Sequence, residues 1–513
     1  MDAYYDVTNI LQYLEQSAEK YPDKPAYRDD RESVTFREYR DAAMRIGSGL
    51  KPFGLRKAPV VLLMDGRHIS QLKAAMGVVY AGCFWIPLDP AAPAERIRLI
   101  FEKLRPALVI CDEKGRVHRD ILGSDWLFVD YAALTDAPAD TAFLSERRRE
   151  STAYDILFIM YTSGSTGVPK GAVHTHQDLI RYTEITVNVY PFDENTVFGN
   201  QSPFFYANCV HEVFLPLKTG STTYLLPAWI HSFPGRMISF LRENRIQSLL
   251  MTPSSFNAVA EAGVLEPGCL PDLKFILPIG ERTNLKRMRM WEKAAPNGRF
   301  WNFYGSTELL TVATWPVTGN FSEDEIIPAG APYRLVHVII ADENGQECPQ
   351  GVIGEIYVNS AFRFSGYYND PERTREALVT DPLRKGWAER FFRTGDRGFM
   401  NDAGQLVVVG RRDSMIKHRG YRMELGEVEY AAMGAGDVGT CCCLVDRETE
   451  NGELYFFYTG SLPEKELRTR LRESLPKYAV PENLIRLEEM PYNANRKTDR
   501  LALARMIPDY RKL

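Results

Sequence analysis

Short apolar runs alternate with longer amphipathic stretches along the chain up to about residue 330. The runs 60–64 and 107–111 are bounded by charge or proline, which is typical of buried strands. Residues 94–104 lie between them and repeat apolar side chains at helical spacing. Alternation of this kind is typical of βαβ units, so we predict a large N-terminal doubly wound α/β region.

The first predicted helix lies close to the N-terminus. Leu11, Leu14 and Ala18 would share one helix face. Thr8 is the predicted N-terminal cap, and Pro22 sets the expected end.

After residue 330 the pattern becomes that of β-structure. The apolar runs 336–340 and 353–358 flank Asn344-Gly345, a typical hairpin turn pair. A further apolar run at 406–409 predicts another strand. We expect a β-rich subdomain here.

The last hundred residues predict a separate small unit. Helical patterns at 424–433 and 464–475 alternate with strand patterns at 441–445 and 454–458, an α+β arrangement. We therefore divide the chain into residues 1–412 and a small, mobile C-terminal domain, residues 413–513. Within the first of these strands, three adjacent cysteines would alternate between the two sheet faces and pack as small apolar side chains.

Composition narrows the function classes. The chain has 513 residues, 62 Lys and Arg against 67 Asp and Glu, and a net charge of −5, so it gives no reason to expect nucleic acid or an anionic membrane as partner. No apolar run reaches the roughly 18 residues of a membrane span. Eight cysteines without a Cys-x-x-Cys pair predict reduced thiols in a cytoplasmic protein.

The segment Tyr161-Thr-Ser-Gly-Ser-Thr-Gly-Val-Pro-Lys-Gly171 carries the strongest chemical signal. It follows the apolar run 156–160 and combines three glycines with four hydroxyl side chains. Exposed backbone N–H groups, hydroxyls and the charge of Lys170 suit phosphate oxygens. No Gly-Lys-Ser/Thr closes the loop, so it is not a Walker A loop. The residues alone predict a triphosphate-binding loop.

Here the sequence resembles the adenylate-forming enzymes, in particular the adenylation domains of nonribosomal peptide synthetases. The likeness extends over essentially the whole chain, with motifs in the family's order. Besides the loop just described, these motifs are Ala81-Gly-Cys-Phe-Trp-Ile-Pro-Leu-Asp-Pro90, Asn302-Phe-Tyr-Gly-Ser-Thr-Glu308, Arg393-Thr-Gly-Asp396, Gly410-Arg-Arg-Asp413 and Pro491-Tyr-Asn-Ala-Asn-Arg-Lys-Thr-Asp-Arg500. Ser306 stands where the family has proline.

The resemblance implies a nucleotide site for ATP and Mg²⁺. Glu308 would hold Mg²⁺ and Thr307 would bond a phosphate oxygen. Asp396 would bind the two ribose hydroxyls, with Arg411 reinforcing the ribose–phosphate contact. The residues implied at the phosphates are Thr162, Ser163, Gly164, Ser165, Thr166, Gly167 and Lys170, and those bordering the adenine are Gly280, Glu281, Asn302 and Tyr304.

The resemblance also implies a catalytic lysine and a hinge. Lys497 would place a cation between the attacking carboxylate and the α-phosphate, which stabilises the charge brought together there. Asp413 matches the position about which the small domain rotates between two poses. His174 and His176 could suggest zinc by their spacing, but we interpret them as structural.

The acid pocket departs from the family pattern. Amino-acid-activating members carry an aspartate that pairs with the substrate ammonium, and Ala207 stands at that position. The residues matching the pocket are Ala207, Asn208, His211, Met251, Leu277, Ile279, Phe303, Thr311 and Val312. This lining is apolar with neutral polar groups, so we expect an acid without a charged α-amino group. A benzoate-type acid such as anthranilate or hydroxybenzoate ranks first, and a small aliphatic or hydroxy acid second.

Alternatives remain open at this point. The alignment could slip by one residue, or another acid such as Glu212 could supply the counter-charge. The acceptor thiol would be the phosphopantetheine of a separate carrier protein, because no carrier or condensation motif is found, or else coenzyme A as in acyl-CoA synthetases. A nucleotide-binding module without turnover is disfavoured, because every implied catalytic residue is present.

Overall fold

The computed structural model describes residues 7–162, 169–280, 283–318, 321, 325–384, 386–411, 415–418, 421–446, 453–475, 479–493 and 496–511. The helices are α1 (Leu11–Lys20), α2 (Phe36–Gly49), α3 (Ile69–Tyr80), α4 (Ala94–Leu104), α5 (Glu113–Leu122), α6 (Ala132–Thr135), α7 (Thr141–Glu150), α8 (His176–Val189), α9 (Val210–Thr219), α10 (Pro234–Glu243), α11 (Pro253–Glu261), α12 (Leu285–Ala294), α13 (Pro371–Ala377), α14 (Leu425–Gly434), α15 (Glu464–Ser474) and α16 (Arg500–Tyr510). Short 3₁₀ turns lie at Lys51–Phe53, Ala207–Cys209 and Ala228–Ser232.

The strands are β1 (Pro25–Arg28), β2 (Ser33–Thr35), β3 (Pro59–Leu63), β4 (Phe84–Leu88), β5 (Leu108–Cys111), β6 (Phe128–Asp130), β7 (Ile156–Thr162), β8 (Lys170–Thr175), β9 (Val197–Asn200), β10 (Thr222–Leu225), β11 (Ser248–Met251), β12 (Phe275–Pro278), β13 (Arg299–Tyr304), β14 (Ala313–Pro316), β15 (Val336–Ala341), β16 (Gly354–Ser360), β17 (Leu378–Thr380), β18 (Arg390–Met400), β19 (Leu406–Arg411), β20 (Met415–His418), β21 (Tyr421–Glu424), β22 (Val438–Asp446), β23 (Glu453–Gly460) and β24 (Asn483–Arg486).

Two large, mainly parallel sheets build the first 316 residues. One has the order β14-β13-β12-β11-β9-β10-β1-β2 and the other β6-β5-β3-β4-β7-β8. The outer strands β14, β2 and β8 run antiparallel to their neighbours. Strands β3, β4 and β5 are almost wholly buried, as expected for parallel strands covered by helices on both faces. The predicted doubly wound region is confirmed.

The region that follows is antiparallel. The five-stranded sheet has the order β15-β16-β18-β17, with β19 paired to β18. The hairpin expected from residues 336–358 is the pair β15 and β16, with Val338 opposite Val358. Its inner face packs on Leu309 and Val312 from the preceding region, which joins this sheet to the site described below.

The C-terminal residues form an α+β unit with its own core. Its sheet has the order β22-β23-β24, and α14 and α15 pack on it. Cys441 and Cys443 lie in one apolar cluster and Cys442 in the cluster on the opposite face, so the predicted alternation is confirmed. The boundary at Asp413 lies outside the described residues and stays a prediction.

One helix start differs from expectation. Helix α1 begins at Leu11, and Thr8 does not cap it. Instead the Asn9 side chain accepts from the Leu11 N–H, while Gln12 accepts from the backbone N–H groups of Thr8 and Asn9. The helix ends at Lys20, close to the expected Pro22. Among the described helices, none has the length and apolarity to cross a membrane.

Candidate active site

A charged cluster forms where β8 meets the loop after β13. Lys170 Nζ donates to Glu308 Oε1 at 2.9 Å and to the Tyr367 hydroxyl at 2.7 Å. Tyr367 in turn donates to the same Glu308 oxygen at 2.8 Å. Lys170 begins β8 opposite Thr162, so it closes the hairpin that carries the predicted phosphate loop. The cluster therefore ties Glu308 to the base of that loop.

Tight backbone geometry presents Thr307 and Glu308. A Cβ added at Gly305 would lie 1.9 Å from the Leu310 carbonyl oxygen, so the close approach of these two backbones requires glycine. Leu310 has a φ of 57°, a left-handed conformation disfavoured for its branched side chain. The buried imidazole of His174 donates to the Thr307 carbonyl at 2.8 Å. The close backbone approach at Gly305 and the hydrogen bond from His174 therefore both fix the conformation of this loop.

Glu308 is buried but remains ionised. Burial by itself would raise the pKa of its carboxyl, but the charge of Lys170 and the hydrogen bonds from Lys170 and Tyr367 outweigh it, so the pKa lies below its usual value. An ionised carboxylate is the type of ligand that Mg²⁺ takes together with phosphate oxygens. The Glu308 carboxylate therefore fits the Mg²⁺ ion that the resemblance implies.

A second contact joins two residues predicted to hold the nucleoside. The Tyr304 hydroxyl donates to Asp396 Oδ2 at 2.6 Å. Asp396 lies on β18, and its backbone pairs with that of Arg411 on β19. Asn302 donates to the carbonyls of Ile327 and Pro328 at 3.0 and 2.9 Å, so its amide fixes the neighbouring chain.

Lys497 reaches this region from the small C-terminal unit. Its ammonium group donates to the Gly280 carbonyl at 3.1 Å, although the two residues are 217 positions apart. Gly280 has a φ of 96°, and a Cβ there would lie 2.8 Å from Lys497 Nζ. Asn493 Oδ1 accepts from the Lys497 backbone N–H at 3.2 Å and fixes the turn that carries the lysine. The positive φ at position 280 favours glycine, and a Cβ there would displace the end of the Lys497 side chain.

The predicted acid-pocket residues lie at the ends of neighbouring elements. Strands β11, β12 and β13 are adjacent and parallel, and they place Met251, Leu277 and Phe303 near the same edge of the sheet. Ala207 and Asn208 form the turn before α9 and are half-buried, and the other predicted pocket residues are buried. Leu277, Ile279 and Phe303 share one apolar cluster. By contrast, Met251 and Val312 belong to two other core clusters.

His211 is the polar group at the centre of this set. Its Nδ1 contacts the Tyr182 hydroxyl at 3.2 Å, and its ring packs edge-on against Phe303. Its Nε2 is buried without a hydrogen-bond partner among the described residues. Burial lowers the pKa of His211 to about 3, so the imidazole is neutral.

Glu212 follows on the same helix and is fully buried. Both carboxyl oxygens lack a hydrogen-bond partner within the described part of the chain. Burial raises its pKa well above the usual value, which favours the protonated, neutral form of the carboxyl group. In this state it supplies no counter-charge.

The two histidines with zinc-like spacing both have protein partners. His174 holds the Thr307 carbonyl, as described above, and His176 Nδ1 accepts from the Ile10 N–H at 3.2 Å. Both side chains are buried. These contacts account for them as structural residues.

Several predicted residues cannot be placed. Ser163, Gly164, Ser165, Thr166 and Gly167, together with Glu281 and Asp413, lie outside the described residues. For Arg411 only the backbone is described. Thr162 ends β7, and its buried hydroxyl has no hydrogen-bond partner among the residues described.

Sequence reasoning did not assign a role to Tyr367, which the structure places on both Lys170 and Glu308. The motif Ser365-Gly-Tyr-Tyr368 resembles the family's, but nothing in its spacing shows which tyrosine faces the carboxylate. Asn493, which positions Lys497, likewise lies in a motif without a predicted role.

The family model described as AMP-binding enzyme matches residues 14–368. The chain therefore belongs to the AMP-binding enzyme family, and the resemblance to adenylate-forming enzymes is confirmed.

Individual relatives also belong to this group of adenylate-forming proteins or share its fold. The chain is 30% identical over 505 residues to tyrocidine synthase 3 of Brevibacillus parabrevis, covering 98% of this chain and 8% of that protein. It therefore spans a small part of the length of such curated relatives. Among solved structures, the four-domain nonribosomal peptide synthetase AB3403 bound to AMP and glycine matches with a TM-score of 0.82 and 25% identity, over 97% of this chain and 36% of that one. The anthranilate CoA ligase AuaEII in complex with anthranoyl-AMP shares the fold, with a TM-score of 0.83 and 19% identity over 98% of both chains.

Proposed function

We propose that the protein activates a carboxylic acid with ATP to an acyl-adenylate and then transfers the acyl group to the phosphopantetheine thiol of a separate carrier protein. The observation that carries this proposal is the placement of Lys497 Nζ on the Gly280 carbonyl. Gly280 follows β12, next to the strand that ends in Tyr304, the partner of Asp396. A lysine from the distant C-terminal unit thus reaches the edge of the predicted nucleoside site.

In the first step, a carboxylate oxygen of the acid forms a bond to the α-phosphorus. The bond from that phosphorus to the bridging oxygen breaks, and pyrophosphate leaves with the electron pair. Lys497 offsets the negative charge that the two anions bring together. Mg²⁺ bound at Glu308 would neutralise charge on the phosphates, and Lys170 and Tyr367 keep that carboxylate oriented.

In the second step, a thiolate attacks the acyl carbon and AMP leaves with the electrons of the broken C–O bond. No carboxylate attacks a phosphate here, so Lys497 is not required. The hinge proposed at Asp413 would let the small domain turn and carry Lys497 away.

The same site supports an acid without a charged α-amino group. Ala207 offers no carboxylate, and burial favours the neutral form of Glu212. An ammonium group placed there would lose its hydration without a paired charge, at a cost of roughly several kcal/mol. An aryl acid with a hydroxyl or neutral amino substituent fits the apolar side chains around Phe303 and can hydrogen-bond His211 or Asn208.

Acid-dependent ATP–pyrophosphate exchange over a broad panel of acids tests this proposal. We expect aryl acids to give the highest kcat/KM. Ala207→Asp should lower it by about tenfold or more, because it buries an unpaired carboxylate near the acid, whereas Ala207→Ser should change it little. A common α-amino acid as the best substrate would refute the substrate assignment. Offering coenzyme A and a holo carrier protein side by side with the best acid then identifies the acceptor.

A further inference from the structure

Arg496 lies immediately before Lys497 and adopts an unusual backbone conformation. Its φ is 58°, in the left-handed region that residues with a side chain rarely occupy. Its carbonyl oxygen accepts from the Thr252 hydroxyl at 3.2 Å, next to the end of β11. A strained residue beside a catalytic group suggests that its side chain serves a purpose.

Arg67 approaches the same place from the turn after β3. Its guanidinium donates to the Gln201 carbonyl at 2.5 Å, just beyond the end of β9. The Gln201 amide donates to Ser255 Oγ at 3.2 Å, and Ser255 contacts the Thr252 hydroxyl. A continuous set of hydrogen bonds therefore runs from Arg67 to Arg496 across the carboxyl ends of two adjacent strands.

His231, in the 3₁₀ turn after β10, completes the group. Its Nε2 is buried and has no hydrogen-bond partner in the described part of the chain. Burial, followed by the charges of Arg67 and Arg496, lowers the pKa of His231 to about 3. Burial and the charge of Arg496 also lower the pKa of Arg67 to about 10. The hydrogen bonds place Arg67 and the Arg496 backbone at the carboxyl ends of β9 and β11, and the charges of both arginines reach the His231 ring.

Nearby acids do not neutralise this group. Asp65 and Asp89 are the carboxylates whose charges act on Arg67. Asp65 is bonded to Lys114 at 2.6 Å and also contacts His68, and Asp89 accepts from a backbone N–H of its own turn. Among the described residues, neither acid forms an ion pair with Arg67 or Arg496.

Two half-buried guanidinium groups repel each other, and the repulsion is greater where water is scarce. An oxyanion between them would remove this cost, because the planar fork of arginine matches carboxylate and phosphate oxygens. The neutral His231 ring adds a donor in the tautomer that carries hydrogen on Nε2.

We infer that Arg67, Arg496 and His231 form a site for an oxyanion carried by one of the reaction's ligands, complete while Lys497 lies at Gly280. This inference rests on the proposed function. The ligand we assign is an acid substrate with a second carboxylate, because the phosphopantetheine arm acts only after the small domain has carried Arg496 and Lys497 away.

Binding of inorganic phosphate, measured by calorimetry, tests the site without turnover. The full chain is first saturated with α,β-methylene-ATP, so that phosphate does not bind where the nucleotide does. We expect one phosphate per chain, with affinity weakened about tenfold or more in Arg67→Gln and in Arg496→Gly, the size of a lost charge-assisted hydrogen bond. Glycine suits the φ at position 496, so that variant removes the guanidinium without adding strain. Arg98→Gln, on the surface of α4, is the matched control and should bind as the wild type does.

No saturable binding, or equal binding in all four proteins, would overturn the site. This outcome is independent of exchange activity, so it differs from a failure of the proposed function.

A pair of acids then tests the source of the anion. Isophthalate is compared with benzoate in pyrophosphate exchange, and we expect a preference of about tenfold in kcat/KM for isophthalate, which Arg67→Gln should abolish. In thiol capture, 4′-phosphopantetheine is compared with pantetheine, and we expect no preference. No preference in the acid pair, one that survives in Arg67→Gln, or a preference in the thiol pair overturns the inference.

Discussion

At the scale of single residues, Lys497 has the most specific predicted effect. Lys497→Ala should slow acyl-adenylate formation by about 10²–10³-fold, the size typical of losing one preorganised group that stabilises developing charge. Capture of the acyl group from pre-formed acyl-AMP should be much less affected. Pyrophosphate exchange and single-turnover thioester formation measure the two steps. Lys465→Ala, an exposed lysine on α15, should leave both unchanged, and equal losses in both steps for Lys497→Ala would contradict its assignment.

The buried Glu212 predicts a pH-dependent stability difference. Burial raises its pKa well above the usual value of a glutamate, so the folded state retains a proton that the unfolded state loses. Its contribution to stability is complete below pH 4.5 and is lost as the pH rises towards the folded pKa, by about 1.4 kcal/mol per pH unit.

Glu212→Gln removes this dependence. The free energy of unfolding of the variant, relative to the wild type, should increase by up to about 3 kcal/mol between pH 5.5 and pH 7.5. Urea unfolding at both pH values measures it. Glu243→Gln, at the exposed end of α10, should show no such change. A constant difference for Glu212→Gln would mean that the carboxyl is ionised in the folded protein.

At the scale of elements, Tyr367 links β8 to the loop after β13. Tyr367→Phe removes one of the two hydrogen bonds that orient Glu308, and a hydrogen bond to a charged group contributes about 1.5–3 kcal/mol. We expect the KM for Mg²⁺-ATP to rise by about tenfold with little loss of folding stability. Tyr368→Phe is the neighbouring control, because Tyr368 makes a ring contact with Phe84. Equal KM values in both variants would show that Glu308 does not need Tyr367.

Element prediction from the sequence succeeded where one periodicity dominates. The helix α4 and the strands β3 and β5 match their patterns closely. Their apolar side chains are the ones that pack into the core, so the spacing of those side chains in the sequence follows the secondary structure. The start of α1 was wrong, because three polar side chains near residue 10 could each cap a backbone N–H and the pattern does not choose among them.

At the scale of the whole molecule, the small C-terminal unit lies against the large region. Besides Lys497, Lys286 on α12 pairs with Asp437 at 3.3 Å. The movement proposed for this unit between the two reaction steps would break both contacts.

The hinge proposed at Asp413 is tested by restricting its backbone. Asp413→Pro limits φ and should slow thiol capture more than pyrophosphate exchange. Asp413→Ala retains the backbone freedom and should affect both steps little. If Asp413→Pro leaves both rates at the wild-type level, the chain turns elsewhere.

The sequence by itself determined the family and the order of the motifs, and it implied the candidate catalytic residues, because these depend on residue types at short spacing. It also determined the doubly wound α/β class of the large region, since strand and helix periodicities are local, whereas its division into two sheets came from the structure. Only the tertiary structure brought Lys497 to Gly280, placed Tyr367 on Glu308 and gathered Arg67, His231 and Arg496. These partners lie far apart in the chain, and the order in which parallel strands associate decides which of their carboxyl ends meet. No local pattern encodes that order, because it follows from the packing of the whole core.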